Sequence, residues 1–373
     1  MPGGAQMSTK TLCEGLVQTE FEPVVVCPRL LSTKPEQLPF RVVEYVSDEN
    51  RENNQFRRIL NLFRRIGAFY RIIKAERPDI LHIQMSESLI TFGALRCLGI
   101  FKKQCFIYTD RGLYYGYREH SMMCMKAVLR YAAKMICTTQ FNKKLWLEHS
   151  KLQKIEVIPN TIGKAFTAYD AEKRKLLREK ENLSETDFVI GFAGRICEEK
   201  DWPVVKRLIP ALKAKGISFK VALVLSVFEE QDMAVVQDLK EFIIQTIGEE
   251  NLIYRQDISQ AEMAEYYYLV DVFVMTSQFE SFGKAAVEAM SRRCAVISTN
   301  AGGLPEVVGK QENLYYKENS SKCVSRIYKL YQDIAELNQD KDYFYKRYIE
   351  NYTEERNLAA HIKLYRTLKE GRR

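Results

Sequence analysis

Residues 188–202 read FVIGFAGRICEEKDW. Phe188-Val189-Ile190-Gly191-Phe192 is a short apolar run of the kind that forms a strand buried on both faces. Beyond Gly194 the chemistry changes: Arg195, Glu198, Glu199, Lys200 and Asp201 crowd one loop. Pro203 then falls in the first turn of the following helix, where no N–H is needed. A buried strand, a charged loop and a helix N-terminus in that order form the unit of a doubly wound α/β sheet, whose ligands sit beyond the carboxyl ends of the strands.

Working outward, the same alternation recurs. Downstream strands are expected at 220–225, 252–254, 272–275 and 295–298, and a helical, Tyr-rich stretch at 321–369. Upstream, strands are expected at 24–27, 79–83, 104–108 and 134–137, and residues 157–160 close the first half. The pattern predicts two Rossmann-like doubly wound domains facing a central cleft. The expected boundaries are 1–160 for the first domain, 161–187 for a polar crossing, 188–340 for the second domain and 341–373 for a C-terminal helix packing back on the first.

The chain has 373 residues, 46% hydrophobic and 28% charged, enough for two cores and too apolar for intrinsic disorder. No apolar run approaches the roughly 18–20 residues that span a bilayer, and the first residues carry neither the basic nor the apolar region of a secretory signal. Nine scattered cysteines without a Cys-x-x-Cys pair exclude a disulfide scaffold. They read as small apolar side chains in a reduced cytoplasm.

Net charge is +8, unevenly placed: residues 1–160 carry +9 and the remainder −1. An anionic partner for the first half is expected. Within residues 56–76, Phe56, Ile59, Leu60, Phe63, Ile66, Tyr70 and Ile73 recur at helical spacing, and Arg57, Arg58, Arg64, Arg65, Arg71 and Lys74 fill the intervals. Two readings are open: a surface helix packing its apolar face on the sheet, or a helix lying against an anionic membrane. No motif for nucleic-acid binding accompanies the charge.

Three loops of the second half carry the candidate chemistry. Arg195 and Lys200 stand beside a helix N-terminus, a combination suited to a diphosphate. After the strand ending at Met275 comes Thr276-Ser277-Gln278-Phe279-Glu280-Ser281-Phe282-Gly283-Lys284. It places Glu280 at a strand end, Ser281, Phe282 and Gly283 at the N-terminus of a helix, and Glu288 two turns into it. Carboxylates buried there need hydroxyl partners, which a sugar or ribose supplies. After Ser298 comes Thr299-Asn300-Ala301-Gly302-Gly303-Leu304-Pro305-Glu306, whose glycines allow close backbone approach. No cluster of His, Cys, Asp or Glu at metal-ligand spacing is present.

Taken together, GFAGRICEEKDW (191–202), DVFVMTSQFESFGKAAVEAM (271–290) and AVISTNAGGLPEVV (295–308) resemble the GT-B fold retaining glycosyltransferases of family 4, the group 1 glycosyl transferases. Weaker likeness runs through PGGAQ (2–6), PDILHIQ (78–84), ICTTQFNKKL (136–145) and VIPNTI (157–162). The resemblance implies transfer from a nucleotide-diphosphate sugar with retention, without metal or other cofactor. It implies that Arg195 and Lys200 hold the diphosphate, Glu280 contacts the donor sugar and Glu288 binds the ribose, with Gly194 also at the donor; Glu280, Arg195 and Lys200 are the expected catalytic residues. The segment Ser281, Phe282, Gly283 and Lys284 would touch phosphate or sugar, and Gly3 and Gly4 would approach the diphosphate from the first domain.

Three departures from the family pattern stand out. The family has a strand before its Gly-Gly loop, and this chain starts at the loop, which reads as a mis-assigned start. Thr109-Asp110-Arg111-Gly112 replaces the usual Thr-x-His-Gly, so Arg111 is expected to meet phosphate and Asp110 to accept a hydroxyl or pair with Arg111. Ser226-Val227-Phe228 replaces Gly-x-Gly near the nucleotide. His82 is read either as a structural histidine or as a ligand contact. The expected function is sugar transfer to a lipid-linked acceptor at an anionic inner membrane face, in cell-surface polysaccharide or glycolipid assembly. A non-catalytic nucleotide-sugar-binding subunit and a soluble glycogen- or disaccharide-type synthase are the alternatives.

Overall fold

The structure, a computed structural model, describes residues 4–29, 38–46, 55–166 and 168–371; the side chains of residues 4, 5 and 55–59 fall outside that description. The chain divides into two compact units, residues 5–158 joined by the C-terminal stretch from Glu354, and residues 159–353.

The N-terminal unit contains α1 (Gly4–Leu16), β1 (Val24–Pro28), β2 (Arg41–Tyr45), α2 (Gln55–Glu76), β3 (Leu81–Ile83), α3 (Ser86–Cys97), β4 (Phe106–Asp110), α4 (Glu119–Leu129), β5 (Lys134–Cys137), α5 (Gln140–His149) and β6 (Ile155–Val157). Strands β3-β4-β5-β6 form one parallel sheet, and β1 and β2 pair separately in a second. β4 is buried along its whole length, so it reads as a near-continuous run, as parallel strands covered on both faces do. Phe92 of α3 meets Phe106 of β4 edge-to-face at 5.1 Å. The strand β2 was missing from the sequence expectation, because Arg41 and Glu44 interrupt its short apolar run.

The second unit continues with α6 (Ala171–Lys180), β7 (Val189–Arg195), α7 (Pro203–Ala214), β8 (Lys220–Ser226), α8 (Asp232–Ile247), β9 (Leu252–Gln256), α9 (Gln260–Leu269), β10 (Val272–Met275), α10 (Lys284–Ser291), β11 (Ala295–Thr299), α11 (Leu304–Val308), β12 (Leu314–Tyr315), α12 (Ser320–Gln332) and α13 (Ile334–Asn351). Its sheet has the order β12-β11-β10-β7-β8-β9, all parallel. The order reverses between β7 and β10, the switch point at which a doubly wound sheet opens a crevice. Strand period decides the two cores. Val189, Ala222 and Val224 face one side with Phe273 and Val287, while Ile190, Val221 and Leu223 face the other with Val205 and Leu208.

Residues 161–187, expected as a polar crossing, pack with the second unit: Ile162, Phe166 and Leu183 are buried in its core. The polar residues between them are fastened by a buried ion cluster. Asp271, at the start of β10, accepts from Arg174 at 2.7 Å, Arg178 at 3.3 Å and Lys341 at 2.7 Å. Burial alone would raise the Asp271 pKa, but Lys341, Arg174 and Arg178 together hold it below the ordinary carboxylate value. Lys341 thereby ties α13 to the second unit, so the stretch that returns starts at Glu354 and not at residue 341. There α14 (Glu354–Glu370) places Leu364 and Tyr365 with Leu12, Leu16, Ile107 and Ile136 of the N-terminal unit.

The helix α2 also differs from expectation. Its inner arc is Phe69 and Ile73, packed on the core, with Ala68 also buried. Leu60, Phe63 and Tyr70, grouped with the inner arc by periodicity, are 40%, 65% and 37% exposed. Among the described residues, no helix is long and apolar enough to cross a membrane.

Candidate active site

At the switch point the carboxyl ends of β7 and β10 lie side by side, and the loops after them are stitched together. The Gln278 amide N–H donates to the Glu199 carbonyl at 2.9 Å, its side chain donates to the Glu198 carbonyl at 2.8 Å, and Thr276 Oγ1 donates to the Lys200 carbonyl at 2.5 Å. Trp202 Nε1 donates to the Arg195 carbonyl at 2.8 Å and closes the first loop on itself. Gly194 lets the Lys200 stem pass close by: a Cβ there would lie 3.5 Å from Lys200 Cγ and Cδ.

This scaffold brings together two residues that stand 80 positions apart. Lys200 Nζ lies 2.8 Å from Glu280 Oε2 and 3.2 Å from Ser277 Oγ. Both charged side chains are 19% exposed, so the pair sits at the edge of solvent. An ammonium has three N–H donors, and these contacts use two. Arg195 takes another course: it is exposed, and its guanidinium lies 5.7 Å from the ring centroid of Phe228.

The following segment turns on Gly283, at φ +93°, where a Cβ would come within 2.4 Å of Leu304 Cδ2. Only glycine fits both the backbone and the space. The turn leads into α10, and the Phe282 ring is buried against Tyr352 at 5.7 Å, so Phe282 offers only backbone. Lys284 is the first residue of α10 and Ser281 precedes the turn, both partly exposed. On the same helix Glu288 accepts a hydrogen bond from Tyr267 Oη at 3.1 Å. Burial raises the Glu288 pKa, against the opposing pull of Lys284, Tyr267 and Lys200. The third loop is anchored to the second by the Gly303 amide on the Glu280 carbonyl at 3.0 Å and by Thr299 Oγ1 on the Ser277 carbonyl.

In the N-terminal unit, Asp110 and Arg111 part company. Asp110 is fully buried. It accepts from Trp146 Nε1 at 2.6 Å, Asn142 Nδ2 at 2.9 Å, the Gly112 amide at 3.2 Å and Tyr117 Oη. The expectation that it would accept a ligand hydroxyl or pair with Arg111 is corrected: a carboxylate this deep needs internal donors, and four supply them. Arg111 instead donates through Nε and Nη2 to Gln84 Oε1, at 3.2 and 2.9 Å. Burial lowers its pKa to about 10.

These bonds fix the state of His82. Arg111 only donates, so the Gln84 atom facing it is oxygen, and Gln84 Nε2 donates to His82 Nε2 at 3.0 Å. Thr109 Oγ1 lies 2.7 Å from the same nitrogen, and with Nε2 accepting, Nδ1–H donates to Tyr365 Oη at 2.7 Å. His82 is therefore neutral, and burial followed by the proximity of His361 and Arg111 pulls its pKa well below the ordinary value.

Gly4 opens α1, and Gly3 lies outside the described residues. Arg64, Arg71 and Lys74 are exposed on α2. Arg65 is turned toward α3 and pairs with Glu87 at 2.6 Å, a correction to its placement on the outward face. Arg57 and Arg58 fall outside the described side chains. Among the described residues, no group of three His, Cys, Asp or Glu side chains is arranged to hold a metal ion.

Sequence reasoning missed Ser277, Tyr267, Gln84 and Tyr365. Ser277, three residues before Glu280, and Gln84, two residues after His82, had a local signal. Tyr267 and Tyr365 meet Glu288 and His82 only through the packing of helices within their own units.

The model of the family described as Glycosyl transferases group 1 matches residues 173–347, and that described as Glycosyltransferase Family 4 matches residues 2–164. The chain is similar to the capsular polysaccharide biosynthesis glycosyltransferase CapM of Staphylococcus aureus, 24% identical over 238 residues, which is 61% of this chain and 61% of that protein. It spans about six tenths of the length of the curated relatives it matches first. Its fold is similar to that of sucrose-phosphate synthase from Thermosynechococcus elongatus, with a TM-score of 0.83 and 20% identity over 99% of this chain and 94% of that one. It is also similar to Anabaena HepE in complex with UDP and glucose, with a TM-score of 0.76 and 15% identity over 98% and 96% of the two chains. Two family models that together run over nearly the whole sequence, on a matching two-unit architecture, establish that this chain belongs to the group 1, family 4 glycosyltransferases of the GT-B fold.

Proposed function

We propose that the protein transfers a sugar from a nucleotide-diphosphate sugar to a lipid-linked acceptor, with retention of anomeric configuration. The observation that carries this reading is the cluster at the β7/β10 switch point, where Lys200 bridges Glu280 and Ser277 beside the N-terminus of α10. Its parts suit the two ends of such a donor. The remaining Lys200 N–H, the N-terminus of α10 and the exposed Arg195 suit a diphosphate. Glu280 suits sugar hydroxyls, and Glu288, oriented by Tyr267, suits a ribose diol.

In the route we propose, C–O bond cleavage at the anomeric carbon moves negative charge onto the leaving diphosphate. Lys200, Arg195 and the α10 amides stabilise that charge without a metal ion. The acceptor hydroxyl attacks from the same face and gives its proton to a departing phosphate oxygen, so no protein nucleophile is formed. Within the N-terminal unit, Arg111, linked through Gln84 to the neutral His82, is assigned to the acceptor. The UDP and glucose named with Anabaena HepE support a uridine donor. The capsular role named for the Staphylococcus relative supports cell-surface polysaccharide or glycolipid assembly. We place the protein in the cytoplasm, at the inner membrane face.

The test is a thermal-shift and turnover screen of nucleotide sugars. A donor that raises the melting temperature, does so less with Glu288→Gln, and is turned over with a lipid-linked acceptor supports the proposal. A donor that binds without transfer or hydrolysis points to a binding subunit. No donor response refutes the nucleotide-sugar assignment, and transfer only to a soluble sugar refutes the lipid-linked acceptor.

A further inference from the structure

The outward face of α2 is built from residues at helical spacing: Leu60, Phe63, Arg64, Gly67, Tyr70, Arg71 and Lys74 are all exposed. Between Leu60 and Lys74 this stripe runs about 21 Å at 1.5 Å per residue. It alternates large apolar groups with cations, and it holds no carboxylate. The one carboxylate of α2, Glu76, is turned away to Arg41 at 2.9 Å. An exposed Phe at 65% and Leu at 40% on one helix face, flanked by fixed positive charge, is not the profile of a solvated surface helix, whose outward positions are polar.

A second element extends the face. Tyr70 packs against Phe101 of the α3–β4 loop with ring centroids 5.9 Å apart, and the Lys74 ammonium lies 5.6 Å over the Tyr70 ring. That loop is held in place by Arg96 Nη1, which donates to the Phe101 carbonyl at 2.9 Å. It carries Leu98, 71% exposed, and the exposed Lys102 and Lys103. Apolar tips from a helix and from a rigid loop thus stand together among cations of both.

We propose that this α2 and 98–103 face is the membrane-docking surface of the protein. Leu60, Phe63 and Leu98 enter the acyl boundary of an anionic bilayer, while Arg64, Arg71, Lys74, Lys102 and Lys103 meet lipid phosphates. The charge decides the occupant: a like-charged second copy of the same face is repelled, whereas an anionic leaflet is attracted. The aromatic Tyr70, with its hydroxyl, suits the interface between the two layers. The proposal rests on the lipid-linked acceptor reading for its purpose, but its evidence is independent of the donor site.

The test is flotation of the full chain with vesicles of phosphatidylcholine alone and of phosphatidylcholine with phosphatidylglycerol, at low and high salt. Binding to the anionic vesicles that weakens with salt, and little binding to the neutral ones, is expected. The double variant Phe63→Ser with Leu98→Ser should lower partitioning about tenfold or more and keep its salt dependence. The triple variant Arg64→Gln, Arg71→Gln and Lys74→Gln should lower it and flatten the salt dependence. Circular dichroism and the donor-induced thermal shift should be unchanged in both, because every substituted side chain is exposed and none belongs to the donor cluster. Vesicle binding equal to wild type in both variants overturns the proposal. So does a wild-type dimer by sedimentation, dissolved by Phe63→Ser, with no vesicle binding. Turnover on a soluble acceptor without vesicle binding removes the docking surface and leaves the donor assignment standing; vesicle binding without any donor response does the reverse.

Discussion

Replacing Lys200 by methionine removes one charge and little volume. The ammonium it deletes sits 2.8 Å from Glu280 and 3.2 Å from Ser277, at a site one-fifth exposed. A unit charge about 4 Å from a phosphate oxygen, at an effective dielectric near 20, interacts by about 4 kcal/mol. Glu280 already draws on that charge, so the part available to the leaving group is smaller, nearer the ~2.7–4 kcal/mol seen for one preorganised transition-state donor. The expected loss in kcat is therefore about a hundredfold to a thousandfold. The fold should survive, since partly exposed ion pairs contribute on the order of 1 kcal/mol. The assay is release of nucleoside diphosphate and formation of glycosylated acceptor, measured at saturating donor, with a urea titration alongside. Lys200→Arg should retain part of the rate, because a cation remains, although the shape of the site changes. Adding Glu280→Gln to Lys200→Met should cost less than the product of the two single losses, as the residues share one interaction. A folded Lys200→Met protein turning over within threefold of wild type would refute the phosphate role and the reasoning from the switch point.

Four further outcomes are expected. Glu288→Gln should keep the fold, because the amide oxygen still accepts from Tyr267, and should weaken donor binding about tenfold, read as a smaller thermal shift. In the wild type, burial raises the Glu288 pKa, so the folded state takes up this proton at higher pH than the unfolded chain. Its contribution to stability therefore improves as pH falls below neutral, while donor affinity, which needs the carboxylate, declines over the same range; calorimetry from pH 8 downward checks both. Gly283→Ala should destabilise by about 1–3 kcal/mol in urea, since φ +93° is strained for alanine and the new Cβ meets Leu304 at 2.4 Å. Asp271→Asn should cost about 3–5 kcal/mol, because it removes the buried counter-charge shared by Arg178, Arg174 and Lys341. The Asp271 pKa is depressed, so its stabilisation is present above the unfolded value and is lost as pH falls through the lower folded value; acid titration of the variant should lack that loss.

How far the chain could be read in advance follows from what each residue depends on. The strands of the second unit were legible because buried parallel strands are continuous apolar runs, and FVIGF and VFVM are such runs. RVVEY, which is β2, was not, because three of its five residues are exposed and its own Arg41 and Glu44 break the apolar run. Lys200 and Glu280 were both singled out, each in its own loop. Their contact depends on β7 and β10 being neighbours, which follows from strand order and not from spacing. Asp110 was misread, since nothing local says that Trp146 and Asn142, 36 and 32 residues on, supply its donors. The α2 helix shows the same limit: its sequence holds two apolar arcs, and periodicity cannot tell which faces inward.

The sequence by itself determined the α/β class, the family and the chemical types present at the strand ends, because these rest on local hydrophobic period and on motifs within a single loop. The tertiary structure alone decided that Lys200 bridges Glu280 and Ser277, that Glu288 is oriented by Tyr267, that Asp110 is sealed inside and that Phe63 stands outside. Each of those depends on which surfaces become neighbours when the sheet closes, and burial, which sets both hydrogen-bond demand and pKa, is a property of that closure.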